Sequence, residues 1–208
     1  MSVMTAFDTL LAELSACRLC RDAPLFGPAL PHEPRPVIQA RPTARLLIAG
    51  QAPGTRVHAS GKPFTDPSGD RLRQWMGVSE MQFYDATRIA IVPMGHCFPG
   101  LDAKGGDLPP RRECAPQWRP RILAALPAIE LILVIGQYAR EWHLPERRKQ
   151  SLTETVKDWR AISATGNPRV IPLPHPSWRN SGWLKSNPWF EEELVPVLRH
   201  AIRKAIQS

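Results

Sequence analysis

Leu46-Leu47-Ile48-Ala49-Gly50-Gln51-Ala52-Pro53-Gly54 is the stretch from which the rest of the chain can be read. Four consecutive apolar residues suit a strand buried on both faces. The two glycines and the proline that follow let the backbone turn sharply and pass close to a ligand. No GKS or GKT is present, which excludes a Walker loop; an ordinary strand-to-helix turn is the plain alternative.

Similar apolar runs recur at Ile89-Ala90-Ile91-Val92, Leu131-Ile132-Leu133-Val134-Ile135 and Val170-Ile171-Pro172-Leu173. Between them, stretches around Ser68 to Met76, Arg111 to Leu126 and Gln137 to Trp142 can be helical, and Trp189 to Ile206 can close the chain. This alternation predicts an α/β fold with three layers, α/β/α, around a central four-stranded parallel sheet. Functional loops in such sheets leave the carboxyl ends of the strands. Here they begin at Gly50-Gln51, Pro93-Met94-Gly95-His96-Cys97, Gly136-Gln137 and Pro174-His175-Pro176-Ser177.

Upstream, Phe7, Leu10, Leu11 and Leu14 recur at helical spacing, predicting an amphipathic helix that runs into Cys17 and Cys20. From Pro24 to Pro42 six prolines and little periodicity predict a surface connector. The chain of 208 residues is read as a single domain, residues 1–208, with 43% hydrophobic composition to supply its core. A formal charge of +8 and a pI near 9.9 favour a polyanionic partner, although a solvated basic surface would look the same. Asp8 and Glu13 interrupt the N-terminal apolar residues, unlike a secretory signal, and no apolar run approaches the roughly 20 residues of a membrane span. A soluble, cytoplasmic monomer is expected.

In a reducing compartment, four cysteines suit a metal better than disulfides. Cys17 and Cys20 form a CxxC pair, Cys97 follows the second strand, and Cys114 comes 17 positions later. Zinc, an iron-sulfur cluster and four buried free thiols all remain open on spacing alone. Gly61-Lys62-Pro63-Phe64-Thr65-Asp66 brings a ring and a carboxylate beside the first strand's end. The ring is either core or a stacking face for a planar base. In the fourth loop, His175 is followed by Trp178, Arg179, Asn180 and Lys185 among small polar residues, a composition suited to a DNA groove with phosphates at its flanks.

Taken in order, GQAPG at 50–54, GKPF at 61–64, the cysteine pattern and HPS at 175–177 resemble the uracil-DNA glycosylase superfamily, over roughly Cys17 to Arg199. The cysteines resemble those of families four and five, which implies a structural [4Fe-4S] cluster on Cys17, Cys20, Cys97 and Cys114, with zinc as the lesser alternative. The resemblance further implies removal of uracil, and of other deaminated bases, from DNA in base excision repair, leaving an abasic site.

It also assigns roles. Gly50, Gln51, Ala52, Pro53, Gly54, Phe64 and His175 would hold the base; His175, Asp66 and Gln51 would act in catalysis; Pro174, Pro176, Ser177, Trp178, Arg179, Asn180 and Lys185 would meet DNA. Three positions depart from the family pattern. Gln51 stands where family four has glutamate, Ala52 where several families have Asp or Asn, and Pro93 where a uracil-reading asparagine is expected. Asp66, placed like an aspartate of family five, is the expected replacement for the first-loop carboxylate. A damaged-DNA binder without catalysis and a zinc-stabilised nucleotide-binding protein are the alternatives.

Overall fold

A computed structural model describes residues 5–207. Helices α1 (Ala6–Ser15) and α2 (Leu19–Asp22) precede strand β1 (Leu46–Ala49). Then come α3 (Thr55–Ser60), α4 (Pro67–Met76), α5 (Glu80–Phe83), β2 (Ile89–Ile91) and α6 (Cys114–Ala124). Strand β3 (Leu131–Ile135) leads into α7 (Gly136–His143), α8 (Leu152–Lys157) and α9 (Trp159–Ala164). The chain closes with β4 (Arg169–Leu173), α10 (Ser181–Ser186), a π-helical turn at Phe190–Leu194 and α11 (Val195–Gln207).

The strands form one parallel sheet in the order β2-β1-β3-β4. Successive side chains of a strand face opposite ways, so each strand feeds two cores. Leu46, Ile48, Ile89, Ile91, Leu133 and Leu173 meet Leu72 and Met76 of α4 and Leu198 and Ile202 of α11. Leu47, Ala49, Ala90, Val92, Ile132 and Val134 meet Phe7, Leu10 and Leu14 of α1 and Trp118 and Ile122 of α6. Burying each large apolar side chain contributes roughly 1.5–3 kcal/mol, and two-sided burial is why the strand sequences read as unbroken apolar runs. The three-layer α/β/α expectation therefore holds.

Two boundaries differ from expectation. The first helix stops at Ser15 and a separate turn carries Cys20, instead of one helix reaching both cysteines. The C-terminal helical segment opens with the π turn before α11 begins at Val195. The connector from Pro24 to Pro42 contains no helix or strand, yet it does more than cross the surface. Gln39 pairs with Ile91 at the outer edge of β2, and its side-chain amide donates to the carbonyls of Phe83 (3.0 Å) and Ile89 (2.9 Å). Behind β2 the buried Arg119 guanidinium donates to Val92 O (3.0 Å) and also bonds His143, fixing the strand's carboxyl end.

Candidate active site

The loops at the carboxyl ends of β1 and β4 enclose a cleft of about 510 Å³ with a smaller recess of about 50 Å³ beside it. Gln51, Ala52, Val57 and His175 line both, so they stand where the two hollows meet. Gly50, Pro53, Phe64 and Pro93 complete much of the recess, while Asp66, Ser177, Trp178 and Arg179 belong to the cleft. Gly54 also lines the cleft.

Phe64 holds its place by an uncommon backbone conformation, with φ of 56°, a region that a bulky residue enters only when its surroundings force it. The Tyr84 hydroxyl lies 2.9 Å from Pro63 O and 3.2 Å from Phe64 O, placed to donate to either. Helix α4 closes in from the other side through Gly69, where an added Cβ would lie 1.9 Å from Phe64 O. The ring thereby stands edge-on to Phe83 at 5.9 Å and reaches Gly50, where an added Cβ would sit 3.6 Å from its tip.

His175 leaves β4 over Gly136, the first residue after β3. The Ser177 amide donates to its Nδ1 at 3.2 Å, so Nδ1 is the acceptor and the neutral ring carries its proton on Nε2. Burial holds this imidazole below the usual histidine range, with the Asp66 carboxylate pulling the other way. Asn180 fixes the loop by donating its side-chain amide to His175 O at 2.7 Å, and Arg71 of α4 donates to Ser177 O at 2.9 Å. Asp66 stands at the N-terminus of α4, yet its carboxylate makes no capping bond and faces the cleft. The amides of Gln51 and Ala52 make no hydrogen bond with the described residues, leaving donors beside the recess.

Among the residues expected to meet DNA, Trp178 is 71% exposed and Arg179 and Lys185 are exposed too. Pro174 and Pro176 are buried within the same loop. Asn180 spends its amide on His175, as described. Sequence reading also missed Asp107, which lines the cleft from the long segment between β2 and α6, and Arg71. A loop residue of this kind has no periodic signal, and only packing brings it near the first motif.

Cys17, Cys20, Cys97 and Cys114 line a separate, less open hollow with Leu14, His96, Arg111 and Trp118. None is in a disulfide. Burial pushes the thiols of Cys20 and Cys97 up to about 11 and about 12, and raises Cys114 as well, so thiolates there need a cation beside them. The His96 amide already donates to Cys114 Sγ at 3.3 Å. No three His, Cys, Asp or Glu side chains among the described residues converge on a single-ion site.

Parallel strands, a cleft at their carboxyl ends and polar groups aimed into it define an α/β protein of the kind that takes its ligand at the sheet's top edge. The sequence model described as "Uracil DNA glycosylase superfamily" matches residues 38–199, more than half of the chain. The chain belongs to that superfamily. The match begins after Cys17 and Cys20, so it is shorter than the span suggested by the motifs. Among solved structures, a Methanosarcina acetivorans protein provisionally described as a uracil DNA glycosylase is similar, with 18% identity and a TM-score of 0.47 over 78% of this chain and 94% of that one. Among the described residues, no helix is long and apolar enough to cross a membrane.

Proposed function

We propose that the protein is a DNA repair glycosylase that hydrolyses the N-glycosidic bond of uracil, and of other deaminated bases, in DNA. The observation that carries this reading is His175, held neutral with its Nε2–H as donor at the junction of an aromatic recess and an open cleft. A nucleotide flipped from the stack would seat its base against Phe64, with its sugar and phosphates in the cleft. His175 then donates to the base oxygen on which negative charge collects as the bond breaks, and the free amides of Gln51 and Ala52 assist. Asp66, unpartnered and near His175, favours positive charge on the sugar as the base departs. Trp178, Arg179 and Lys185 supply a stacking face and phosphate contacts on the exposed side.

The four thiols are a donor set that fits a [4Fe-4S] cluster, held by Cys17, Cys20, Cys97 and Cys114. When bound it would tie α1 and α2 to the segment after β2, a structural task and not a redox one. All four sulfurs line one hollow, and four cysteines are the donor number that such a cluster takes.

The test is incubation with labelled oligonucleotides carrying one uracil or one hypoxanthine, followed by alkali to break abasic sites. Base-dependent strand breakage is the expected result. Tight, salt-sensitive DNA binding without breakage would replace this reading with that of a damaged-DNA binder, to which the missing first-loop carboxylate also points.

A further inference from the structure

The loop after β1 lacks the carboxylate that its motif leads one to expect, and a second segment lies against that loop. The segment after β2 runs alongside that loop: the Met94 amide donates to Gly50 O and the Gly95 amide to Gln51 O, each at 2.9 Å. An added Cβ on Gly95 would lie 3.5 Å from Ala52 Cβ and 3.1 Å from Pro110 Cβ, so a glycine there is what lets the two segments run this close.

The same segment brings a carboxylate of its own. Residues 100–108 fold back as a small hairpin, with Leu101 paired to Asp107, the Leu108 amide on Gly100 O (2.9 Å) and the Asp102 amide on Gly106 O (2.8 Å). The Asp102 side chain accepts from the amides of Lys104 (2.8 Å) and Gly106 (2.9 Å), which holds the tip. The hairpin sets Asp107 against the end of the first loop, where an added Cβ on Gly54 would be 3.2 Å from Oδ2. Its carboxylate lines the cleft with Gln51, Asp66 and His175 and accepts no hydrogen bond from the described residues.

We propose that Asp107 is a catalytic carboxylate of this cleft, delivered in space to the first loop that lacks one, and that it takes a proton from the attacking water. This rests on the glycosylase reading above. The base leaves C1′ with the electron pair of the glycosidic bond, the water oxygen bonds to C1′, and the water's proton passes to the Asp107 carboxylate. Asp66 stays with the sugar cation beside His175. Burial, and Asp66 as a like charge, raise the proton affinity of Asp107, which suits a base, while Arg179 opposes the rise.

Single-turnover cleavage of a uracil oligonucleotide by Asp107→Asn tests this. The rate should fall by about 100-fold, the lower end of what a general base contributes, with DNA affinity kept. A second comparison uses the contact with Gly54, whose ordinary backbone (φ −85°) accepts alanine. Gly54→Ala should slow cleavage by pushing Asp107 aside, and should add little on top of Asp107→Ala, where the displaced side chain is gone. Active wild-type protein with undiminished Asp107→Asn, or additive Gly54→Ala and Asp107→Ala effects, would overturn the role of Asp107 and leave the glycosylase reading standing. Wild-type protein inactive on uracil and on hypoxanthine would sink both.

Discussion

The cleft and the cysteine hollow are built on opposite terms. The cleft is wide, and His175 Nε2, the Asp66 and Asp107 carboxylates and the loop amides all stand in it with bonds still to make. The cysteine hollow is smaller and less open, lined by four thiols and by apolar side chains. On the proposed function, one receives a substrate that reacts and leaves, and the other an occupant that stays. Chemistry and cohesion are therefore separable, and substitutions should divide accordingly.

The largest expected effect lies in the cleft. His175→Ala should cost about 10²- to 10³-fold in single-turnover cleavage, as loss of one preorganised donor does, with melting temperature and DNA binding little changed. A variant that melts early as well would blur the comparison. In the other hollow, Cys114→Ala should abolish stoichiometric iron and lower stability on the order of 3 kcal/mol, the stabilisation given by a ligand at about a hundred times its dissociation constant. Iron analysis and thermal melting read this out. Variant protein that keeps its iron would break the assignment of Cys114.

Gly69→Ala probes the one place where cohesion directly shapes the chemistry. A methyl group aimed at Phe64 O should cost about 1–3 kcal/mol in denaturant unfolding and, by moving Phe64, slow cleavage too. Unchanged stability would mean that the close contact relaxes freely.

Acid offers a further test. Burial lowers His143, bonded to Arg119, to about 3. Below about pH 6.5 the unfolded chain binds a proton that the folded chain refuses, so stability is full above that pH and falls as pH drops towards 3. The slope is about 1.4 kcal/mol per pH unit for this group, and His143→Gln should remove it in urea titrations at a series of pH values. His175 is also lowered by burial, so the cleavage rate should stay level as pH falls through about 6.5, where an ordinary histidine titrates.

The sheet was legible because burial on both faces leaves uninterrupted apolar runs: Leu46–Ala49 and Leu131–Ile135 match their strands residue for residue. His175 and Phe64 were legible through their motifs. The short helices α3, α8 and α9 left no clear period, since helices of six residues make too few turns for one. Asp107 was invisible for a different reason. Leu101-Asp102-Ala103-Lys104-Gly105-Gly106-Asp107 reads as a plain loop, and its meeting with Gly54 depends on how two distant segments pack. The strain at Phe64 likewise depends on Gly69 and Tyr84, which nothing in the GKPF motif names.

Gln39 has a consequence beyond the fold of one molecule. An open strand edge is a template on which a neighbouring chain can add its own strand, the first step towards clumping. By occupying Ile91 and capping two carbonyls on that side, a single residue of the connector denies strangers the β2 margin of the sheet, and so helps a crowded solution of these chains remain separate molecules.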